Sequence, residues 1–365
     1  MLKNISILGK VAAIVLAVGL VSTDAAAKSQ KIGILMPSQN QVRWYHDGKN
    51  LKLYLKNAGF DVELFHGGDD DINLQLRQVK RLLDEDYGLM IIAPIDGTKF
   101  TEALKPVKQK GIPVISYDRL LMNTDAVSYY ITFDNLKVGR MQGLYIVDKL
   151  NLDYDSKPKY IEFIAGAPTD NNAKLFFEGA MEVLKPYLDE GRLICASGET
   201  KFEQVSTEKW NFENAAKRLD RIINQYYLPE GGKHKLDAVY CSSDGLAKGA
   251  ILACDNNRFP IDRFPVITSQ DCSKPIIDKM IEGKIDMSIL KNPNILAEQT
   301  VEMCRQILSG SEVEVNDHSY NNGKMTVDTY LCEPRLVTRD KWQNILIDEL
   351  KIYKPEDFEN TKSGQ

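Results

Sequence analysis

Arg, Asp, Asn, Lys and Trp recur in the few residues that follow the chain's short apolar runs. Arg43 and Trp44 follow KIGILM, Asp96 follows GLMIIA, and Asp118 and Arg119 follow PVISY. Asp170, Asn171 and Asn172 follow YIEFIA, and Trp210 lies beyond LICAS, just before a helical pattern. Asp244 follows AVYCS, Gln270 and Asp271 follow PVITS, and Lys291 follows DMSIL. Carboxylates accept from hydroxyls, Arg and Lys donate to them, and amides do both. Aromatic faces cover the C–H surface of a sugar ring. The set suits a polyhydroxylated ligand. Each residue alone has a plainer explanation: Asp170 or Asp244 can cap the helix that follows, Trp44 and Trp210 can be core residues, and Arg119 can pair with Asp118. Those explanations leave out the recurrence at strand ends.

Signals for other chemistry are missing. The chain has no GxGxxG, P-loop, GxSxG or HExxH pattern. Its four His, at 46, 66, 234 and 318, form no pair at metal-ligand spacing. Paired acids near a cleft can suggest a glycosidase, but nothing else supports that reading. No catalytic residue, cofactor or metal is expected. A net charge of −5 without a long Lys/Arg run argues against a nucleic-acid partner.

The elements that position these residues alternate in type. Apolar, β-branched runs at 31–36, 61–65, 88–93, 113–117 and 128–133 read as strands, with helical patterns between most of them. A second series begins at 160–165 and continues near 193–197, 237–242, 265–269 and 286–290. Strands alternating with longer helices imply parallel sheets covered on both faces. Some ten such units are too many for one compact sheet, and 365 residues suit two domains. The expected fold class is α/β, with two doubly wound parallel-sheet lobes that divide near 133–136. In such sheets ligands bind beyond the carboxyl ends of the strands, where the polar and aromatic set falls. Asp69, Asp70 and Asp71 are read as the cap of a helix.

The first thirty residues address the compartment. Lys3 and Lys10, an apolar run over 11–21 and Ala25-Ala26-Ala27 match a secretory signal peptide over 1–27, and Asp24 cuts the run short of a membrane span. The processed chain would carry a charge of −6. All six Cys (195, 241, 254, 272, 304 and 332) lie in the second half. They are read as small buried residues rather than bridges, although an even count in an oxidising compartment permits pairing.

The stretches RWYHDG, SYDRL, YYITFDNLKVG, GAPTDNNAKLFFEGAMEVLKPY, SSDGLAKGAI, SQD and ILK occur in the order seen in periplasmic xylose-binding proteins. The chain resembles the multiple-sugar-binding receptors of that group more closely still, over nearly all of its processed length. The resemblance implies the type I periplasmic binding protein fold of sugar ABC importers, with two lobes joined by a hinge. It implies a first lobe of 28–133 plus 292–322 and a second of 134–291 plus 323–365, with the strand at 325–331 in the second. By position it makes Arg43 a hydroxyl ligand, Trp44 and Trp210 stacking rings, and Asp118 with Arg119 a first-lobe polar pair. Asp170 and Asn172 fall on its second-lobe hydrogen-bonding motif, Asp271 on its second-lobe carboxylate and Lys291 on its lysine at the lobe junction. Ser243 departs from the xylose type, which carries Asn there.

The implied function is capture of a monosaccharide such as xylose, glucose, galactose or arabinose in the periplasm by lobe closure, followed by delivery to an ABC permease. A monomer is expected. The alternative is a sugar-sensing protein that serves a membrane chemoreceptor. Sugar-responsive transcription regulators share the fold but need a basic helix-turn-helix ahead of the first lobe, where this chain carries the signal pattern.

Overall fold

The computed structural model describes residues 31–68, 71–227 and 234–359. The expected signal peptide, Asp69 and Asp70 lie outside the described residues. The first series runs β1 (Lys31–Met36), α1 (Val42–Asn57), β2 (Asp61–His66), α2 (Ile72–Asp84), β3 (Leu89–Ile92), α3 (Thr101–Gln109), β4 (Val114–Tyr117) and β5 (Tyr129–Phe133). The chain then enters α4 (Asn135–Lys149), β6 (Lys159–Ile164), α5 (Asn171–Asp189), β7 (Leu193–Ile194), the single turn α6 (Phe202–Val205) and α7 (Phe212–Tyr226). It continues through β8 (Ala238–Cys241), α8 (Asp244–Asn256), β9 (Val266–Ile267), α9 (Lys274–Ile281) and β10 (Met287–Leu290). Last come α10 (Pro293–Ser309), β11 (Thr329–Cys332) and β12 (Arg335–Thr338).

The first sheet has the order β2-β1-β3-β4-β5-β11, parallel throughout. The second repeats that order as β7-β6-β8-β9. It extends to β10 through a parallel bridge between Gln270 and Ile289, and ends on β12, which is antiparallel to β10. Strands buried on both faces need continuous apolar sequence, and LMII of β3 and AVYC of β8 are buried at every position. In both sheets the order reverses beside the first strand, at β1/β3 and at β6/β8. That is where a doubly wound sheet opens a crevice, and α1 and α5 begin there.

One expectation is corrected. The strand expected in the second lobe at 325–331 is β11, and it pairs with β5, Thr329 opposite Tyr130 and Cys332 opposite Phe133. Residues 323–332 therefore belong with the first sheet, and the last crossing follows Cys332 rather than falling near 321–325. The physical reason is the open edge of β5: the segment supplies its missing parallel neighbour, and Tyr130 N bonds the Asp328 carbonyl at 3.0 Å. α10 packs Leu296, Ala297, Val301 and Cys304 into the core under β1, β3 and β5.

The helix starts follow cap chemistry. Asp71, Asp134, Asp170, Asn211, Ser243 and Asn292 each accept from a backbone N–H of the helix they precede. α4 and α5 cross at very short range, because Gly139 and Gly179 sit at the crossing. All six Cys are free thiols, and five of them are buried.

Candidate functional site

Every candidate residue except Trp210 lies between the carboxyl end of a strand and the first turns of the helix that follows it; Trp210 lies farther on, between α6 and α7. α1 brings Arg43 and Trp44; the turn after β4 brings Asp118 and Arg119. The start of α5 brings Asp170 and Asn172, and the turn before α7 brings Trp210. Asp271 follows β9 and Lys291 follows β10.

Three of them have left-handed backbones, which a non-glycine residue rarely adopts: Asp118 at φ 58°, Trp210 at 57° and Asp271 at 100°. At Asp118 the hydrogen bonding shows what holds the turn. Its carbonyl lies 2.7 Å from the Tyr130 hydroxyl, 2.9 Å from Thr132 Oγ1 and 2.8 Å from Asn172 Nδ2. Ser116 Oγ donates to the Arg119 carbonyl at 2.7 Å and accepts from Leu121 N at 2.9 Å.

The lobes meet through charge. Arg119 Nε lies 3.0 Å from Asp170 Oδ2 of the second lobe, and the two side chains are only 12% and 5% exposed. Arg43 bonds Asp118 in its own lobe, and its Nη1 approaches Asp271 Oδ1 across the cleft at 3.7 Å. Lys291 Nζ stands 3.2 Å from the same Asp271 oxygen, which is buried without an aligned hydrogen-bond donor. Burial alone would raise the Asp118 carboxyl, but Arg43, Lys291 and Arg119 outweigh it and hold the group below the usual carboxylate value. Desolvation opposes the Arg43 charge, yet Asp118, Asp271 and Asp47 overcome it and stabilise the cation.

The aromatic residues differ from one another. Trp44 was expected to offer a stacking face, but its ring is 2% exposed, with the Arg43 and Arg119 guanidinium carbons 4.7 and 5.0 Å from its centroid. It carries the two cations that point into the cleft. Trp210 is half-buried: its Nε1 donates to Asp170 Oδ2 at 3.3 Å, and its edge meets Phe176. Asn172 is an inter-lobe strut. Besides its bond to the Asp118 carbonyl, its Oδ1 accepts from Asn135 Nδ2 at 2.9 Å and lies 3.1 Å from the Tyr130 hydroxyl.

Two neighbours were not picked out from the sequence. Gly166, immediately beyond β6, backs Trp210: a Cβ there would fall 2.1 Å from the ring. Asp47, one turn along α1 from Arg43, is buried, with Oδ2 3.6 Å from Arg43 Nε. Its i, i+4 spacing from Arg43 was a readable signal. Asp244, noted at the end of β8, faces into its own lobe, with Ser269 and Ser288 donating to Oδ1 and Ser273 N to Oδ2. Burial and nearby Asp271 push its carboxyl up to about 7. Ser243 caps α8 through a 3.3 Å bond from Leu246 N.

A cavity of about 210 Å³ opens between the lobes, with Gln41, Asp96 and Arg119 on one wall and Asp170, Glu208 and Trp210 on the other. That is below the roughly 300–1,000 Å³ of drug-sized sites and fits a small polar ligand. A larger surface depression of about 470 Å³ lies between Tyr145 and Arg339, beside the start of β10 and the end of the antiparallel β12 rather than at the carboxyl ends of the parallel strands. Its charges already face one another, with Arg339 3.9 Å from Asp286. Among the described residues there is no cluster of metal-ligating side chains, and no helix is long and apolar enough to cross a membrane.

Comparison with known proteins gives concordant likenesses. The chain is 37% identical over 350 residues to the multiple sugar-binding periplasmic receptor ChvE of Rhizobium radiobacter, covering 95% of this chain and 97% of that one. It is 29% identical to the D-xylose-binding periplasmic protein of Escherichia coli, covering 90% and 93%. An ABC transporter solute-binding protein from Clostridium phytofermentans, solved with bound β-D-glucose, is 42% identical with a TM-score of 0.86, covering 90% of this chain and 100% of that one. These relatives are binding proteins rather than enzymes. The periplasmic binding protein domain family matches residues 32–312. The chain therefore belongs to the periplasmic binding protein family, with the two-lobed type I fold.

Proposed function

We propose that this protein is a periplasmic solute-binding protein that captures an aldopyranose between its lobes and passes it to an ABC permease, performing no chemistry itself. The observation that carries this reading is the cleft, where Arg119 of the first lobe and Asp170 and Trp210 of the second line one small cavity and Arg43 approaches Asp271 from the opposite lobe. Asp118, Asp170 and Asp271 accept from sugar hydroxyls, while Arg43, Arg119 and Lys291 donate to them. Trp210 covers a ring face, and Asn172 ties the lobes together. A ligand that touches both lobes binds the closed form preferentially and shifts the population toward it. Closure excludes water, so each hydroxyl bond forms in a lower dielectric. The protein acts as a monomer in the periplasm after removal of 1–27. The glucose in the Clostridium relative supports an aldohexose at least as well as a pentose.

A thermal-shift panel of xylose, glucose, galactose and arabinose tests the reading. At a hundredfold excess over Kd a ligand adds about 2.7 kcal/mol, a rise of about 5–10 °C for a chain of this size class. Amino acids and nucleotides should give none. A shift with an amino acid and with no sugar would overturn the proposal.

Trp210→Ala should weaken sugar binding by ~10-fold or more. Aromatic contacts contribute about 0.5–1.5 kcal/mol beyond area burial, and 1.4 kcal/mol is a decade. The ring also packs on Phe176, so a modest loss of unliganded stability should accompany the change. Titration calorimetry and melting without sugar separate the two effects. Unchanged affinity would remove Trp210 from the site.

A further inference from the structure

Arg43 is shared among three carboxylates, and two of them have assigned work in the cleft. The third, Asp47, is 4% exposed, lies on the arginine's own helix and approaches Nε at 3.6 Å. Nε is the one guanidinium nitrogen that does not face the cleft carboxylates: one terminal nitrogen bonds Asp118 and the other approaches Asp271. Rotation about Cδ–Nε turns the Nε–H and both terminal nitrogens of the planar guanidinium together, so a carboxylate beside Nε favours the plane that aims the N–H at it.

We infer that Asp47 is a positioning residue that fixes the plane of Arg43, so that both terminal nitrogens address the sugar and the opposite lobe. The inference rests on the proposed sugar-binding role of Arg43. Asp47 does not touch the ligand and acts through the arginine.

The same placement links binding to protons. Facing Asp47 are Arg43 from α1, the Tyr117 phenol and Asp118 from the end of β4, and Asp271 and Lys291 from the second lobe. Burial, Asp118 and Asp271 outweigh Arg43 and Lys291 and push the Asp47 carboxyl up to about 7. Closure adds burial and the Asp271 charge, so the closed form holds a proton that an open, solvated cleft releases. With the closed-form value raised above the ordinary carboxylate value of about 4, closure is favoured at low pH. That advantage is lost as pH rises toward about 7, after which affinity levels off. One linked proton changes affinity by at most about tenfold per pH unit. Asp244 is raised to a similar value, but its partners Ser269, Ser273 and Ser288 all belong to the second lobe, so closure leaves them in place.

Calorimetry with D-glucose between pH 5.5 and 8 tests this in wild type, Asp47→Asn and Asp47→Ala. Wild-type affinity should fall from pH 5.5 to about 7 and then level. Asp47→Asn keeps a polar oxygen beside Nε without a titrating proton, so it should bind within about threefold of wild type at pH 5.5 with a flat profile. Asp47→Ala should lose about tenfold or more throughout, because it removes the buried group paired with Nε and leaves the guanidinium plane unfixed. Wild-type pH dependence in Asp47→Asn, or wild-type affinity in Asp47→Ala, would overturn the inference. A sugar-free arm separates it from the function proposal. The Arg43 Nε–H resonance, identified by its absence in Arg43→Lys, should titrate in the open wild-type protein with a midpoint near the ordinary carboxylate value of about 4 and stay fixed in Asp47→Asn. A resonance static in both overturns the inference even if D-glucose does not bind.

Discussion

Asp170→Ala should weaken D-glucose capture by about 30-fold or more. Asp170 Oδ2 pairs in charge with Arg119 Nε at 3.0 Å and accepts from Trp210 Nε1 at 3.3 Å, while Oδ1 caps α5 through Asn172 N. Removing the carboxylate leaves Arg119 facing the closed cleft without its charge partner, and leaves an indole N–H beside it. Truncating one member of a buried, hydrogen-bonded ion pair at an interface costs about 2–5 kcal/mol, and 2 kcal/mol is roughly 30-fold at 1.4 kcal/mol per decade. In the free protein with its cleft open, Arg119 can reach water, so the loss there is mainly the helix cap, about 1 kcal/mol. Calorimetry and unliganded melting should therefore diverge, with affinity falling far more than stability. Asp170→Asn retains one acceptor oxygen, enough for the cap or the indole but not both, and loses the charge, so it should fall between Ala and wild type. Equal affinity in Asp170→Ala and wild type would show that the pair contributes nothing to capture.

The sequence carried the positions of the strand ends well, because buried parallel strands such as LMII and AVYC admit few residues other than apolar ones. What stands just beyond them is then legible as candidate site material, and eight of the nine candidates lie there, Trp210 lying past α6. Partners are harder to read. The cap and ligand readings of Asp170 looked like alternatives, yet its two oxygens do different things: one caps α5 while the other faces Arg119. Trp44, the expected stacking ring, also has the Arg119 guanidinium over it, a contact that no local pattern brings near. β11 was assigned to the wrong lobe because its apolar run states that it is a strand and not which sheet has an open edge. The antiparallel β12 is only RLVT, too short to reveal its direction. Asp47 stands at helical spacing from Arg43, but no local pattern tells that it is buried.

Gly139→Val should destabilise the second lobe by about 3 kcal/mol or more. A Cβ at Gly139 of α4 would fall 2.0 Å from the Phe176 carbonyl and 2.8 Å from Ala180 N of α5. Those are backbone atoms of a rigid helix, so no rotamer change relieves the clash. The helices must separate by at least about 1 Å to restore even a tight 3.0 Å contact. Overpacking a well-packed core costs typically 1–3 kcal/mol and occasionally more. Valine brings branched bulk into a place that rejects a single methyl. At about 2–4 °C per kcal/mol, melting should drop by roughly 6–12 °C. Gly143, one turn along α4, makes a useful contrast: its nearest neighbour is the Val183 Cβ at 2.9 Å, with the Ala180 carbonyl at 3.0 Å, so Gly143→Ala should cost much less. The consequence reaches the cleft, because α5 begins at Asp170 and carries Asn172, the strut to Asp118. Pushing α5 away from α4 moves both residues relative to the first lobe. Molecules of Gly139→Val that remain folded should therefore bind D-glucose more weakly than wild type, although position 139 touches no ligand. Wild-type melting in Gly139→Val would mean that α4 and α5 do not cross at this distance in solution.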